Sequence, residues 1–304
     1  MQHGDADDPD TMARDFVGLV DDLGYAKTFY PRSRVTKYIN ALASRIYLNI
    51  YRNRKEESNR LLNFWKLDMP LAIARNYKIL LFSLALFLLF YMIGFYASRH
   101  DPELIRGVLG DGYVAETEKN MEEGNPFGIY QGDNPFYMWI YIMIHNIQVA
   151  VFAFFQGIFL GIGSVYALVQ NSIMVGVFHN MFAVKGYGVD FLFAVMLHGL
   201  LELTAIVIAC GAGMIMGTSY LFPGTFSRLT AFKNGAKDGV KIILGLMPVF
   251  AMAAFYEGFI TRYYKMPLWL NIALLMPSAL FIIGYLIWYP YTLHRRMKKE
   301  MMAS

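Results

Sequence analysis

Three ionisable side chains lie inside apolar stretches of this sequence. His198 and Glu202 are four residues apart in one such stretch, and Glu257 lies in another. Residues at a spacing of four stack on one face of an α-helix. Two asparagines, Asn146 and Asn171, add amide groups in further apolar stretches. Because ionisable groups are costly in hydrocarbon, a membrane-embedded stretch would make these residues candidates for a binding site.

Three interpretations of this group stay open. In a structural network, the side chains hydrogen-bond one another and fix helix packing, because buried polar groups must be paired. In a binding or transport site, they accept protons or a polar substrate. In a metal site, His198, Glu202 and Glu257 are the ligands of an intramembrane metalloenzyme with a bound water.

Catalytic motifs that would favour an enzyme are missing from the sequence. The His-Glu-x-x-His zinc motif, the phosphate-binding loop and the nucleophile elbow are all absent. We therefore assign no catalytic residue, lean towards a protein that is not an enzyme, and expect no cofactor. A metal ion at the three ionisable residues is the alternative.

The composition indicates that most of the chain lies in a lipid bilayer. Of its 304 residues, 56% are hydrophobic and 16% are charged, whereas soluble domains carry about 25% charged residues. The net charge is only +4, and the basic residues form short clusters beside apolar segments. This pattern is typical of topology determinants and differs from a nucleic-acid-binding surface, so we expect no nucleic-acid partner.

Apolar run lengths predict an all-α bundle of six membrane spans, since one span needs about 20 residues. The run 136–178 is long enough for two spans, and Gly157, Gly161 and Gly163 mark the turn between them. The other predicted spans are 79–96, 191–216, 242–260 and 268–288. Helical periodicity over 9–54 predicts two amphipathic helices ahead of the bundle.

The distribution of Lys and Arg predicts the orientation and the domain boundaries. Residues 1–77 form a cytoplasmic and interfacial helical segment, and 78–292 form the bundle. Residues 98–135 form an acidic exoplasmic loop, and 293–304 form a basic cytoplasmic tail. Both termini are then cytoplasmic by the positive-inside rule, in a multi-pass protein of the cytoplasmic (inner) membrane.

Depth along the spans predicts that the polar residues converge. At about 1.5 Å per residue, His198 lies roughly 10 Å, Glu202 roughly 16 Å and Glu257 roughly 5 Å below the outer boundary. The two asparagines lie roughly 10 to 14 Å below it. We expect one polar cluster in the outer half of the bundle.

Two small-residue motifs predict close helix packing, within one chain or between two copies. They are Gly157-x-x-x-Gly161 and Gly213-x-x-x-Gly217. Packing within the chain is the favoured use, and self-association stays an alternative.

Several segments together resemble the stage II sporulation protein M family of bacterial and archaeal membrane proteins. They are Asn146-Ile-Gln-Val-Ala-Val, the turn from Asn171 to Gly176, His198-Gly-Leu-Leu-Glu202, and Glu257-Gly-Phe-Ile-Thr261. The resemblance covers 136–290, and the segment ahead of the bundle is similar to the helical extension of longer members. It implies a membrane component of engulfment and cell-wall remodelling complexes in spore formers.

The resulting prediction is an integral membrane scaffold or partner-binding protein of the cell envelope. Its expected partners are membrane lipids and other envelope proteins. The alternative is a transporter or channel that uses Asn146, Asn171, His198, Glu202 and Glu257. The lesser alternative is the intramembrane metalloenzyme.

Overall fold

A computed structural model describes residues 9–52, 60–128, 134–261 and 266–303. The chain divides into two compact units, Met1–Arg60 and Leu61–Ser304. Every regular element in the described residues is helical, and six helices are long and apolar enough to cross a membrane. The predicted all-α fold with six spans is confirmed.

The first unit is a helical hairpin. Helix α1 is Pro9–Phe29 and helix α2 is Arg34–Arg52. Ser33 caps α2, because its Oγ accepts from the backbone N–H of Thr36 at 3.0 Å. The buried Thr36 hydroxyl in turn donates to the Tyr30 carbonyl at 2.6 Å. These bonds join the two helices in the predicted amphipathic pair.

The second unit contains the six spanning helices. They begin after helix α3 (Arg60–Asn63), the π-helical turn Phe64–Asp68 and helix α4 (Met69–Arg75). The connection between the first and second spans contains helices α6 (Glu103–Leu109) and α7 (Asp111–Glu122). The first five spans are α5 (Tyr77–His100), α8 (Pro135–Phe155), α9 (Ile162–Val184), α10 (Gly188–Leu221) and α11 (Arg228–Phe255), and the sixth begins with α12 (Leu268–Phe281). The π-helical turn Ile282–Trp288 extends α12 into helix α13 (Tyr289–Ala303).

Helix α10 lies at the centre of the bundle. It packs most extensively against α11 and also contacts α5, α8, α9 and α12. Its buried residues include a run of small side chains from Ala209 to Gly213. Small side chains let neighbouring backbones approach closely, which is how helices associate inside a membrane.

The turn between α8 and α9 lies directly against α10. It begins with the 3₁₀ turn Gln156–Ile158 and ends at Gly161, whose φ is 84°. Glycine adopts this left-handed backbone without a steric penalty. The four glycines of the two small-residue motifs meet here, Gly157 against Gly213 and Gly161 against Gly217.

Helix α4, ahead of the first span, is bound to the bundle and belongs to the second unit. Met69 is fully buried, and Asp68 forms an ion pair with Lys241 of α11. Arg75 binds Asp238 of α11 at 2.6 Å. Residues 61–75 therefore pack with the bundle, although the sequence analysis placed them in the cytoplasmic and interfacial segment 1–77.

The connection between α5 and α8 is a folded cap, which we define as residues 103–128. Its apolar side chains form a small core with the ends of α9 and α10. Phe127 is 1% exposed and stacks on Phe182 of α9, with ring centroids 5.2 Å apart. The core also includes Val114, Met121, Met181, Phe191, Ala194 and Val195. We call this side of the bundle the cap end.

Candidate functional site

The pair predicted on the fourth span lies near the cap end of α10. His198 is buried, at 5% exposure, and Glu202 is partly buried. The uninterrupted helix presents both side chains in one direction.

A π-helical turn brings Glu257 to this pair. Helix α11 ends at Phe255, and Glu257 lies in the π-helical turn Tyr256–Ile260. Such turns are rare and often occur at functional sites. One potential ligand atom from each of His198, Glu202 and Glu257 lies within 4.8 Å of those of the other two.

Helix α8 packs tightly against the π-helical turn. A Cβ atom on Gly258 would lie 3.1 Å from the Pro135 carbonyl oxygen and 3.2 Å from the Trp139 backbone nitrogen. The Trp139 indole N–H also donates to the Ala251 carbonyl at 3.0 Å. These contacts fix the turn, and therefore the backbone of Glu257, against α8.

Thr261 orients the imidazole of His198. Its hydroxyl lies 3.0 Å from Nδ1 of His198 and donates to the Tyr256 carbonyl at 3.3 Å. Sequence reasoning did not select Thr261. A signal was present, because Thr261 follows Glu257 by the same four residues that separate His198 from Glu202.

The structure brings Asn146 to the cluster. Asn146 is 5% exposed on α8, and its side-chain amide faces the carboxyl group of Glu202. Its Nδ2 atom is nevertheless buried without a well-formed hydrogen bond to any described group.

Asn171 makes a different contact, within α9. Its Nδ2 donates to the Ala167 carbonyl of its own helix at 2.8 Å. Helix α9 continues to Val184, which puts Asn171 roughly 20 Å from the cap end of the helix. Within the described residues, the hydrogen bond of the Asn171 amide stays within its own helix and does not reach the other four residues.

Tyr113 of α7 is the cap residue that lies within electrostatic range of the polar cluster. Tyr113 is partly buried and packs against Phe178 of α9, with ring centroids 5.8 Å apart. Burial raises the pKa of Tyr113 to about 12, and the nearby negative charge of Glu257 contributes to this rise. The phenol therefore stays neutral at physiological pH.

The cluster combines two carboxyl groups and one imidazole in a partly buried space between three spans. Two carboxylates this close repel each other when both are ionised. They are compatible with burial if they share a proton or bind a cation. The arrangement suits proton or cation binding.

These features define the class of protein: a multi-pass α-helical membrane protein with a polar cluster inside its bundle. Residues 83–262 match the family described as Stage II sporulation protein M. The chain belongs to this family. Residues 2–52 match a Domain of unknown function (DUF8413). No curated protein and no solved structure matches the chain.

Proposed function

We propose that the protein is a partner-binding scaffold of the cell envelope and that its partner binds the cap. In this proposal the protein lies in the cytoplasmic membrane, with both termini in the cytoplasm and the cap outside. The basic residues near the α10–α11 connection and in α13 support this orientation. Family membership supports an envelope role.

The observation that carries the proposal is that the cap is folded and acidic. Its apolar residues are held in a core, so its surface has a fixed shape. Most of its carboxylates are exposed, and Glu116 and Glu122 form no ion pair within the described residues. A rigid surface of one charge sign steers and selects a partner of the opposite sign.

The expected partner is an envelope protein with a basic surface, while lipids cover the outer faces of the spans. Large apolar side chains are exposed along α5, along α12 and in the π-helical turn that follows α12, such as Leu81, Leu88, Leu280 and Ile283. They suit contact with acyl chains, since exposed apolar surface of this extent is unusual in water.

Crosslinking followed by affinity purification tests the proposal. A Glu116→Lys, Glu122→Lys double variant should recover at least about tenfold less of the partner than the wild type does, because two charges of the docking surface are reversed. Partner recovery by the wild type should also fall as salt is raised.

The matched control reverses two exposed carboxylates elsewhere. Asp21 and Asp22 are exposed on α1, and an Asp21→Lys, Asp22→Lys variant should recover the partner normally. Equal recovery by both double variants, or no specific partner for the wild type, would contradict the proposal.

Transport is the second candidate function, and the proximity of Glu202 and Glu257 favours it. Two carboxyl groups and an imidazole within 4.8 Å form a site that can take up and release protons or cations. Glu202→Gln should then abolish a proton or cation flux in proteoliposomes while the protein elutes as a folded monodisperse species. An unchanged flux in that variant would exclude this function.

A further inference from the structure

We propose that His198, Glu202 and Glu257 bind a divalent transition-metal ion of the zinc class, with Asn146 and Thr261 as supporting residues. The potential ligand atoms already lie within 4.8 Å of one another. Tetrahedral ligands about 2.0–2.1 Å from zinc lie about 3.4 Å apart. Side-chain rotations that move these atoms by about an ångström close the gap.

The charge of the cluster matches a divalent cation. Neither Glu202 nor Glu257 forms an ion pair with Lys or Arg in the described residues. Buried charges in proteins are paired or coordinate metals. One divalent ion neutralises both carboxylates.

The hydrogen bonds of Thr261 fit the His198 tautomer that binds metals. The Thr261 hydroxyl can donate to the Tyr256 carbonyl, which only accepts. With its proton there, Thr261 Oγ1 accepts from the Nδ1–H of His198. In this tautomer Nε2 has the lone pair. Metal-binding histidines are typically oriented in this way, by a hydrogen bond from the other ring nitrogen.

Asn146 provides an independent observation that points to a ligand. Its Nδ2 is buried without a well-formed hydrogen bond, although it faces Glu202. Buried donors are almost always satisfied. A carboxylate oxygen or water drawn in with the ion would accept from this amide.

The ligand types favour zinc and its neighbours over magnesium or calcium. The cluster offers one imidazole nitrogen and two carboxylates. Calcium takes six to eight oxygen ligands, and magnesium requires octahedral oxygen coordination. Imidazole suits zinc, iron, nickel and copper, and three protein ligands leave one position for water.

Elemental analysis and metal titration of the full-length protein in detergent test this site. The chelator-treated protein is titrated with Zn²⁺ against a chromophoric competitor, and with Co²⁺ to record its visible absorption. We expect about one ion per chain for the wild type. His198→Ala, Glu202→Gln and their double variant should weaken the affinity by at least about tenfold.

Thr261→Val tests the positioning role with a side chain of nearly the same shape. It should keep the fold, weaken Zn²⁺ binding by about tenfold and shift the Co²⁺ spectrum, because the imidazole loses its orienting bond. His145→Ala is the matched control: His145 is exposed on α8, next to Asn146 in sequence. It should bind as the wild type does.

Saturable binding that disappears in the ligand variants and persists in His145→Ala would support the site. The proposal is overturned if the wild type binds no ion, or if the folded double variant binds Zn²⁺ as tightly as the wild type. If the wild type binds no ion, a proton shared by Glu202 and Glu257 would be the remaining explanation for two carboxyl groups this close together. Neither result depends on the cap, so this test is separate from the test of partner binding.

Discussion

Gly157 and Gly213 meet backbone to backbone where the turn after α8 crosses α10. A Cβ atom on Gly157 would lie 2.2 Å from the carbonyl oxygen of Gly213. A Cβ atom on Gly217 would lie 2.0 Å from the backbone nitrogen of Gly161. Both distances are far shorter than a van der Waals contact, so any side chain here forces the helices apart.

Gly157→Ala should therefore destabilise the bundle by at least about 1–3 kcal/mol, the usual cost of overpacking. Denaturant unfolding in detergent, followed by tryptophan fluorescence, measures the change. Gly284→Ala is the control, because a Cβ atom there meets nothing within 4 Å. Equal losses of stability in the two variants would refute the close contact.

Phe127→Ala should unfold the cap while the spans stay helical. Phe127 is 1% exposed, and removing a buried phenylalanine costs about 3–5 kcal/mol. Hydrogen exchange should become faster in α6 and α7 and remain slow in α10. Phe136 is 61% exposed, so Phe136→Ala should leave exchange in the cap unchanged. Protection of the cap in Phe127→Ala would argue against the apolar core described above.

Asp238→Ala should loosen α4 from α11. Asp238 accepts from Arg75 at 2.6 Å and from Asn76 at 3.1 Å. We expect unfolding to become easier by about 1 kcal/mol, less at high salt, since the ion pair is partly exposed. The same unfolding assay applies. Glu123→Ala removes a pair whose atoms lie 3.9 Å apart at an exposed site, and it should cost almost nothing. An equal loss of stability in Glu123→Ala would mean that the contacts of Asp238 stabilise the protein no more than an exposed ion pair does.

Cysteine labelling should reveal the orientation without background from the native thiol. Cys210 is the only cysteine of the sequence and is buried. The new cysteines are introduced into a Cys210→Ser variant, which has no native thiol to react. With the cap outside, Glu122→Cys should react with an impermeant maleimide on intact cells. Phe226→Cys, in the α10–α11 connection, should react only after permeabilisation. The reverse labelling pattern would invert the proposed topology.

The spans were predictable because membrane crossing depends on a property that the sequence states directly, the length of each apolar run. The double-length run 136–178 required a hairpin for this reason, and α8 and α9 form it. Helix ends were less predictable. Helix α10 extends to Gly188 and Leu221, beyond the predicted 191–216, because helices continue past the apolar core.

The residue types of the polar cluster were visible in the sequence, while its geometry was not. Counting residues placed Glu257 nearer the outer boundary than Glu202. The structure joins them through a π-helical turn, which has no sequence signature. Asn171 had a suitable calculated depth, but its amide binds the carbonyl of Ala167. Depth alone does not determine the direction in which a side chain points.

The folded structure of the cap could not be predicted from the sequence, because charged residues dominate its composition. Val114, Met121 and Phe127 are buried only through contacts with distant residues such as Phe182 and Phe191. The sequence of 98–135 alone does not predict these contacts. Its folding is a tertiary effect, which sequence periodicity does not report.

The composition of the cap core also sets the order in which the protein can be assembled during synthesis. Val114 and Phe127 leave the ribosome before Phe182, Phe191 and Ala194, with which they pack. At about 5–20 residues per second, the chain between Phe127 and Ala194 takes several seconds to make. In the proposed orientation, the segment waits outside the membrane during this interval without its folding partners, exposed to chaperones and proteases. Insertion of the third and fourth spans therefore completes the cap, and misinsertion of either would leave a proteolytic target that quality control can recognise.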